Sequence, residues 1–452
     1  MTRVALLILA GCGFSGPHLG TSGDAPLGDA PLGDAPAHDG GPVPDAPAVT
    51  GPVGPGGVPG TIALWLVADD APHDASNRVT GWPDRGPNHV DLAVDSSRTA
   101  PTFNPATAVT AATVKFGNSR LARAAGLWPA GTAINDATLV AVVKDDTSGD
   151  FDWLLYTGTM GGDRLSISRS YTTSPMRWDF DVPISNRMSI DQPNGRAMVM
   201  TYVASVGAAV SGASHRALFV NGAPVVTAAA FAGYANLGKP LELGDHDDGA
   251  GGDAGRNPYD GYLGELYVAS SVPASPAQLE QLETYFGLRY GIALAHAYRD
   301  GTGAVVWDTG SGYDTRIAGL AIDPAAHLDV RAASSTEGGD LLRISTAATL
   351  PAGPHAYLIG GDNNQALAFT AGRLQRVWRF VGGSWGAPVT IDVAGMGGTA
   401  MSSLPAAATI MLMYDTSPGF ANPTLVPMTL ANHRYTATVT LPATAYVTFE
   451  AM

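Results

Sequence analysis

The sequence predicts an all-β protein with two sandwich-like domains behind a disordered N-terminal tether. The chain has 56 Gly and 33 Pro in 452 residues, which supplies the turns that join many short strands. Charged residues make up 14% of the chain, well below the roughly 25% of ordinary soluble domains. Short β-branched and aromatic runs outnumber stretches with helical spacing, so we expect one helix among many strands.

Residues 1–12 have the pattern of a secretory signal that ends at a cysteine. A polar, positive start precedes the apolar run Val4–Ala10, which is too short to span a bilayer. The run closes with LAGC, whose Cys12 is the single cysteine of the chain and therefore excludes an internal disulfide. The segment resembles a bacterial lipoprotein signal with its lipobox, which implies that Cys12 becomes the acylated first residue. The alternative is an ordinary signal peptide beside an incidental cysteine.

The residues after the cysteine indicate where the protein is located and how far it extends from the membrane. Gly13 stands where signals for inner-membrane retention carry Asp, so the resemblance implies an outer-membrane or cell-surface protein whose lipid anchor contacts the membrane. Residues 13–60 form a low-complexity tether in which GDAPL begins at Gly23 and again at Gly28. Its composition is too poor in apolar residues to form a core. In the polyproline conformation, at about 3.1 Å per residue, the tether would extend roughly 140 Å from the membrane.

Residues 61–294 are predicted to form a sandwich of two antiparallel sheets. Its β-rich runs are short and are separated by Gly, Asp and Pro, which is the spacing typical of such folds. Asn221-Gly222 is the strongest two-residue hairpin signal in the chain, because both positions must tolerate positive φ.

One helix is predicted to close this sandwich. Ser275 can cap its start, and Gln278 lies where a capping box places an amide side chain. Leu282 and Phe286 follow at helical spacing and share one apolar face. Gly291 suits a left-handed cap at the helix end.

The motifs of this region resemble the laminin-G/concanavalin A-like jelly-roll domains of bacteria. LWLVAD begins at Leu64, W-x-D-x-G-x-N begins at Trp82 and VKFG begins at Val114, and YDGYLGELYV from Tyr259 follows them in the same order. The resemblance implies a concanavalin-like jelly roll with a closing helix. Arg85 departs from the residues usual in the family.

Residues 295–452 are predicted to form a second, β-sandwich-like domain, since strand-like runs recur to the end of the chain. The segments ETYFGLRYGIAL, YDTRIAGLAID, GGDN and RVWR are similar to those of a bacterial domain of unknown function that often follows a jelly roll in secreted or surface proteins. Leu320 and Ala321 depart from that family's I-x-G-I-G-x-D motif. The resemblance implies an architecture and no activity.

An acidic, Gly-rich stretch from Gly244 to Gly261 is a candidate metal site. Its carboxylates could wrap around Ca²⁺, which takes six to eight oxygen ligands, although their spacing does not fit an EF-hand. The alternative is a solvated acidic loop between two strands. The candidate ligands are Asp245, Asp247, Asp248 and Asp253.

Tryptophans could bind a sugar ring, because a flat apolar face suits an aromatic plate. Trp153 lies inside an apolar strand and is predicted to be core. Three others lie beside Pro, Asp or Gly and are predicted to be exposed candidates for ligand binding: Trp128, Trp178 and Trp385.

No catalytic residue is predicted. Gly382–Gly386 matches G-x-S-x-G, but strand-like runs flank it on both sides, so a hairpin turn is predicted instead of a nucleophile elbow. Glu265 and Asp260 are close in sequence, which fixes no carboxylate separation in space. Glu265 is predicted to pair with an arginine or to face solvent.

The net charge of −15 argues against nucleic acid as a partner. The lipobox-like start, the long tether and two β-domains without a predicted catalytic residue lead to the main hypothesis. In this hypothesis, the protein is a surface-anchored lipoprotein without catalytic activity that binds carbohydrate or protein and acts in adhesion. One alternative is a glycan-active enzyme, a glycoside hydrolase or lyase, that uses the same face. Another is a passive structural protein of the envelope.

Overall fold

The computed structural model describes residues 52–105, 111–145, 152–158, 164–170, 177–182, 187–191, 195–234, 237–238, 240–246, 257–338, 341–347, 355–394 and 409–452. Within these ranges strands dominate, and there is one α-helix, which confirms the predicted all-β class. No helix there combines the length and apolar character needed to cross a bilayer. Residues 1–51, with Cys12 and most of the predicted tether, lie outside the described ranges.

The strands before the helix are short and belong to the predicted first sandwich. They are β1 (Ile62–Val67), β2 (Gly81–Trp82), β3 (Leu92–Val94), β4 (Thr102–Asn104), β5 (Thr113–Phe116), β6 (Leu121–Arg123), β7 (Asp136–Asp145), β8 (Asp152–Gly158), β9 (Arg164–Ser170), β10 (Arg177–Val182), β11 (Met188–Asp191), β12 (Met198–Ser205), β13 (Arg216–Val220), β14 (Ala223–Ala228), β15 (Leu241–Leu243), β16 (Asn257–Pro258) and β17 (Gly261–Ala269).

These strands form two sheets that pack face to face as the predicted jelly-roll sandwich. The first sheet has the order β14-β13-β12-β7-β17-β5-β4, and β1 pairs with the second half of β17. The second sheet has the order β11-β10-β9-β8-β15-β6-β3-β2, with β16 beside β8. Apolar side chains from the inner faces of both sheets fill one core, as in other sandwiches.

Two strands of the first sheet, β1 and β12, are buried on both faces. Every residue of β1 is buried, and so is every residue of β12. A strand covered on both faces does not need to alternate apolar and polar residues. This explains the unbroken apolar run IALWLV in β1.

The predicted Asn221-Gly222 turn is confirmed. Val220 pairs with Ala223 across it, and both turn residues have positive φ, 49° and 79°. A side chain at Gly222 would lie 2.3 Å from the ring of His296. The hairpin tip therefore packs closely against the segment that follows the helix.

The W-x-D-x-G-x-N motif has a structural role. The carboxylate of Asp84 accepts hydrogen bonds from the backbone N–H groups of Trp65, Gly86 and Val90 at 2.7–2.8 Å. Trp82 is buried and donates its indole N–H to the carbonyl of Val67. The motif thus fixes a loop against β1.

The helix α1 (Pro276–Tyr290) has the predicted caps. The Ser275 hydroxyl accepts a hydrogen bond from the Gln278 N–H at 3.2 Å, and the Gln278 amide oxygen accepts one from the Ala274 N–H at 2.7 Å. Gly291 ends the helix in the left-handed conformation at φ 63°. The local signals in the sequence were sufficient to place this element.

Helix α1 is buried on all sides over its last two turns, not along one stripe. Residues 281–288 are all buried, including Glu283 and Thr284. One continuous apolar core joins Trp65 of the first sheet, Phe286 of the helix and Leu320 of the region that follows. The helix is the centre of a junction between the two β-regions.

The structure corrects the end of the predicted tether. Residues 52–60 belong to the fold, with a 3-10 turn at Pro55–Gly57. The side-chain amide of Gln281 donates to the carbonyls of Gly56 and Gly301 at 2.6 and 2.9 Å. A side chain at Gly56 would lie 2.4 Å from the Gln281 carbonyl. The glycines that suggested a flexible spacer instead permit this close approach to the helix.

The strands after the helix form the C-terminal region. They are β18 (Tyr298–Arg299), β19 (Val305–Trp307), β20 (Thr315–Asp323), β21 (Leu328–Val330), β22 (Ala332–Ser334), β23 (Leu342–Ser345), β24 (Ala356–Asp362), β25 (Phe369–Thr370), β26 (Arg373–Leu374), β27 (Trp378–Val381), β28 (Val389–Ala394), β29 (Ile410–Asp415), β30 (Thr424–Pro427), β31 (Thr429–Ala431), β32 (Arg434–Val439) and β33 (Thr444–Ala451).

This region forms the predicted second sandwich. One sheet has the order β21-β20-β24-β27-β33-β26-β25, with β29 and β30 continuing from β33, and the facing sheet has the order β22-β23-β28-β32-β31. The G-x-S-x-G segment lies between β27 and β28, which belong to different sheets. It is therefore a crossing between sheets, and the predicted hairpin is wrong.

Candidate functional site: a crevice at the junction

A β-bulge at Gly264 turns the side chains of Tyr262 and Glu265 toward the junction between the two β-regions. The pairing of β17 with β7 shifts register between Leu263 and Glu265. Regular alternation would place Tyr262 and Glu265 on opposite faces, because they are three residues apart. The bulge puts both on the outer face of the first sheet. A side chain at Gly264 would lie 2.4 Å from the ring of Tyr290, so glycine permits the helix end to pack there.

Glu265 is fully buried and partnered under this surface. It accepts the indole N–H of Trp65 at 2.6 Å and the hydroxyl of Tyr290 at 3.3 Å, and Arg289 Nε lies 3.4 Å away. Burial raises the pKa of Glu265, although Arg289 and Trp65 oppose the shift. The predicted arginine partner is confirmed. Asp260 lies 3.9 Å from the ammonium of Lys115 and does not share this network.

A half-open crevice of about 340 Å³ adjoins this network, because Tyr290 belongs to the network and also lines the crevice. Such a volume falls at the lower end of the range for small-molecule sites, roughly 300–1,000 Å³. The lining combines apolar surface with amide, hydroxyl and ammonium groups. Its polar and aromatic members are Asn104, Thr113, Lys144, Tyr262, Tyr290 and Thr336.

Tyr262 occupies the middle of a row across three adjacent strands. Lys115 of β5 and Lys144 of β7 are its cross-strand partners. The ammonium group of each lysine lies 5.1 Å from the centre of the Tyr262 ring, within the range of cation–π attraction. The strands therefore hold a cation on each side of the phenol, and of these three residues Tyr262 and Lys144 line the crevice.

A second concavity lies at the start of the helix and has a different character. It is a groove of about 520 Å³ with Val203, Phe219, Val272 and Leu279 in its walls, and no ionisable side chain lines it. Small-molecule sites combine apolar walls with a few convergent polar groups. The crevice offers an ammonium, an amide and several hydroxyl groups, whereas the polar side chains of the groove are those of Ser211 and Ser275. The crevice is therefore the candidate site.

The outer face of the second sheet carries another aromatic cluster, also created by a bulge. The register of β8 with β9 shifts between Trp153 and Leu155, and this places Trp153 and Tyr156 on the same face with ring centres 5.2 Å apart. His246 stacks on Tyr156 at 3.5 Å, and its Nδ1 lies 2.7 Å from Glu242. All four side chains are buried.

Asp245, the one described member of the predicted calcium ligands, has other partners. It pairs with Arg98 at 2.8 Å and accepts the backbone N–H of His246 at 2.7 Å. Asp247, Asp248 and Asp253 lie outside the described residues. Among the described residues no three acidic, histidine or cysteine side chains form a metal site, so calcium binding in the loop stays a prediction.

The structure corrects the predicted exposure of the candidate tryptophans. Trp128, Trp178 and Trp385 are 9%, 1% and 3% exposed, and their rings pack within the cores of the two sandwiches. Burial of a large aromatic ring is favourable enough to place the ring in a core even when its chain neighbours form a turn. All eight tryptophans are buried, so a groove lined by exposed tryptophan does not form. The rings leave no open face for a sugar.

Sequence reasoning missed the crevice and the row of side chains at its edge. Tyr262, Lys115 and Lys144 lie in three separate strands, and only their pairing brings them together. One available signal was Gly264, because an isolated glycine inside a strand often marks a bulge.

The fold and the crevice together define the class: a β-sandwich joined through one buried helix to a second β-sandwich. Residues 278–445 match a family model described as a domain of unknown function, DUF8202. The match begins inside α1, so it includes most of the helix that was predicted to close the jelly roll. No curated protein matches the chain.

Several solved structures are similar. Domain 4 of AbnA, an extracellular arabinanase from Geobacillus stearothermophilus solved with arabinotriose, is 12% identical over 50% of this chain and 98% of that chain, with a TM-score of 0.36. A pentraxin from Limulus polyphemus is 16% identical over 38% and 82%, with a TM-score of 0.29. A sialidase from Trypanosoma rangeli is 14% identical over 52% and 33%, with a TM-score of 0.31. At these values the similarities carry no argument about function.

Proposed function

We propose that this protein is a surface-displayed carbohydrate-binding lipoprotein whose ligand binds in the crevice at the junction. The observation that carries the proposal is a crevice of about 340 Å³ lined by Tyr262 and Lys144, in which Tyr262 belongs to a row with Lys115 and Lys144 on either side. A sugar ring presents apolar C–H faces and many hydroxyls. The mixed lining offers both kinds of contact, and the strands hold it in a fixed geometry.

The binding site is tested on a glycan array with the full chain and two variants. Tyr262→Ala removes the central ring of the row and should abolish the signal of the wild type. Tyr414→Ala removes a partly buried tyrosine from the C-terminal region, away from the crevice lining, and should retain it. Absence of any wild-type signal, or equal signals for wild type and Tyr262→Ala, would contradict the proposal.

Display at the surface is the second part of the proposal, and the lipobox-like residues 9–12 support it. A cell that expresses the chain is fed an alkyne fatty acid, and the purified protein is examined for the label. We expect label on the wild type and none on Cys12→Ser. Label on both proteins, or on neither, would contradict lipid anchoring at Cys12.

A further inference from the structure

A histidine and a glutamate form a buried pair where the jelly roll meets the C-terminal region. Glu283 belongs to α1, and its side chain is 1% exposed. His296 follows the helix, and its Nε2 lies 3.0 Å from Oε2 of Glu283. The ring of His296 also packs against the hairpin tip at Gly222, and the N–H of Ala295 donates to the carbonyl of Asn221 at 2.8 Å. The pair therefore joins the helix, the hairpin tip and the segment that leads into β18.

Both ring nitrogens of His296 face an oxygen atom. Nδ1 lies 2.8 Å from the carbonyl oxygen of Ala297, which can only accept, so Nδ1 carries a proton. Nε2 faces the carboxylate of Glu283, and a proton must lie between these two atoms as well, because two lone pairs would otherwise meet at 3.0 Å. The geometry thus requires one proton more than a neutral imidazole and an ionised carboxylate hold together, whichever of the two groups carries it.

The carboxylate of Glu283 depends on this proton for its charge balance. Its other oxygen, Oε1, is buried and has no hydrogen-bond partner. Among the residues that the structure describes, His296 is the basic group in contact with Glu283. Loss of the shared proton would leave a buried negative charge without a counter-ion, which is a costly state inside a protein.

The other titratable groups around the pair are neutral or already paired. Glu280, one turn earlier in the helix, forms an ion pair with Arg299 of β18 at 2.6 Å. The phenol of Tyr298 is buried, and burial raises its pKa above the ordinary value, so it stays neutral. The hairpin tip contributes an amide side chain and a glycine, which do not titrate. A change of charge near neutral pH at this place in the junction therefore belongs to the pair.

We infer that the pair of His296 and Glu283 is a proton-dependent clasp, which holds the hairpin tip of the jelly roll on the segment that leads into the C-terminal region and releases it when the proton is lost. The clasp acts without a ligand, so it stands apart from the proposed function. It makes the junction between the two sandwiches more stable in acid than in alkali.

The pH dependence of the clasp has a defined direction. Burial lowers the pKa of His296, but the hydrogen bond and the charge of Glu283 raise it, and the net pKa lies above 6.5. The contribution of the clasp to stability is therefore fully present below pH 6.5 and is lost as the pH rises through the folded pKa. In that interval the pair should raise the unfolding constant by up to about tenfold per pH unit.

A double-mutant cycle on the full chain tests the clasp. Wild type, His296→Gln, Glu283→Gln and the double variant are unfolded in urea at about pH 6 and at about pH 9. We expect the two side chains to be coupled about tenfold in the unfolding constant at the lower pH and much less at the higher one. Glu280→Gln is the matched control, because it removes a carboxylate of the same helix whose partner, Arg299, stays charged throughout. Its effect should be the same at both pH values.

Two measurements on the wild type keep the test independent of how well the variants fold. Nitrogen NMR of the histidine-labelled full chain should show that the ring of His296 titrates with a midpoint above pH 6.5. In hydrogen exchange the amide of Ala295, which is bonded to Asn221, should lose about tenfold in protection factor between about pH 7 and about pH 9.

Each measurement has a result that overturns the clasp. Coupling that is equal at both pH values would make the contact of His296 and Glu283 a pH-independent structural one. A titration midpoint at or below pH 6.5 for His296 would show that the junction does not hold the proton. An unchanged protection factor at Ala295 would show that the proton does not hold the hairpin tip.

Discussion

The outer faces of the two jelly-roll sheets use the same device and reach different results. In each face a β-bulge turns two side chains, three residues apart, to one side: Trp153 and Tyr156 on the second sheet, and Tyr262 and Glu265 on the first. The aromatic pair of the second sheet is buried with His246. Tyr262 remains partly exposed at the crevice. Accessibility, and not residue type, therefore separates a structural aromatic cluster from a candidate binding site.

The largest expected effect is on the buried cluster of the second sheet. Tyr156→Ala removes a ring stacked on His246 at 3.5 Å and leaves a cavity, so we expect a loss of about 3–5 kcal/mol in the free energy of unfolding. Urea denaturation measures this loss. A change below about 1 kcal/mol would mean that the cluster is not structural and that the two faces do not differ in this way.

A smaller loss is expected at the bulge of the first sheet. In Gly264→Ala the added methyl group would meet the Tyr290 ring at 2.4 Å, and such overpacking costs about 1–3 kcal/mol. Gly383→Ala is the matched control, because no atom lies within 4 Å of its added methyl group. Equal melting temperatures for the two variants would show that the helix end does not need this glycine.

The pH dependence of stability tests the environment of Glu265. Burial raises the pKa of this carboxyl above 4.5, so its contribution to stability is fully present below pH 4.5 and is lost as the pH rises through the folded pKa. Glu265→Gln cannot ionise and does not suffer this loss. The stability of wild type relative to Glu265→Gln should therefore fall with rising pH. Urea denaturation of both proteins between about pH 4 and pH 8 measures the trend, and a relative stability that rises with pH would contradict it.

The smallest effect on stability is expected at Tyr262 itself. Its ring is partly exposed, so Tyr262→Ala should change the free energy of unfolding by less than about 1 kcal/mol while saccharide binding is lost. Tyr156→Ala, in contrast, should destabilise the protein strongly. A large destabilisation by Tyr262→Ala would make the row a structural element and not a binding site.

The elements that sequence reasoning predicted were those with local signals. The caps of α1 depend on Ser275, Gln278 and Gly291, and the hairpin depends on Asn221-Gly222, so neighbouring residues were enough. The bulges could not be predicted, because the alternation of side chains between the two faces of a strand assumes pairing without register shifts. The burial of Trp178 and the folding of residues 52–60 depend on distant partners, which one sequence does not reveal. For the same reason the crevice, assembled from β5, β7, β17 and the helix end, was not predicted.

Hydrogen exchange of the full chain, with and without a saccharide that it binds, shows whether the ligand lies in the crevice. The account predicts new protection in the segments around Lys115, Lys144 and Tyr262, and no change around Tyr156 and His246. Protection confined to the second sheet, or to the C-terminal strands, would place the ligand elsewhere and contradict the account.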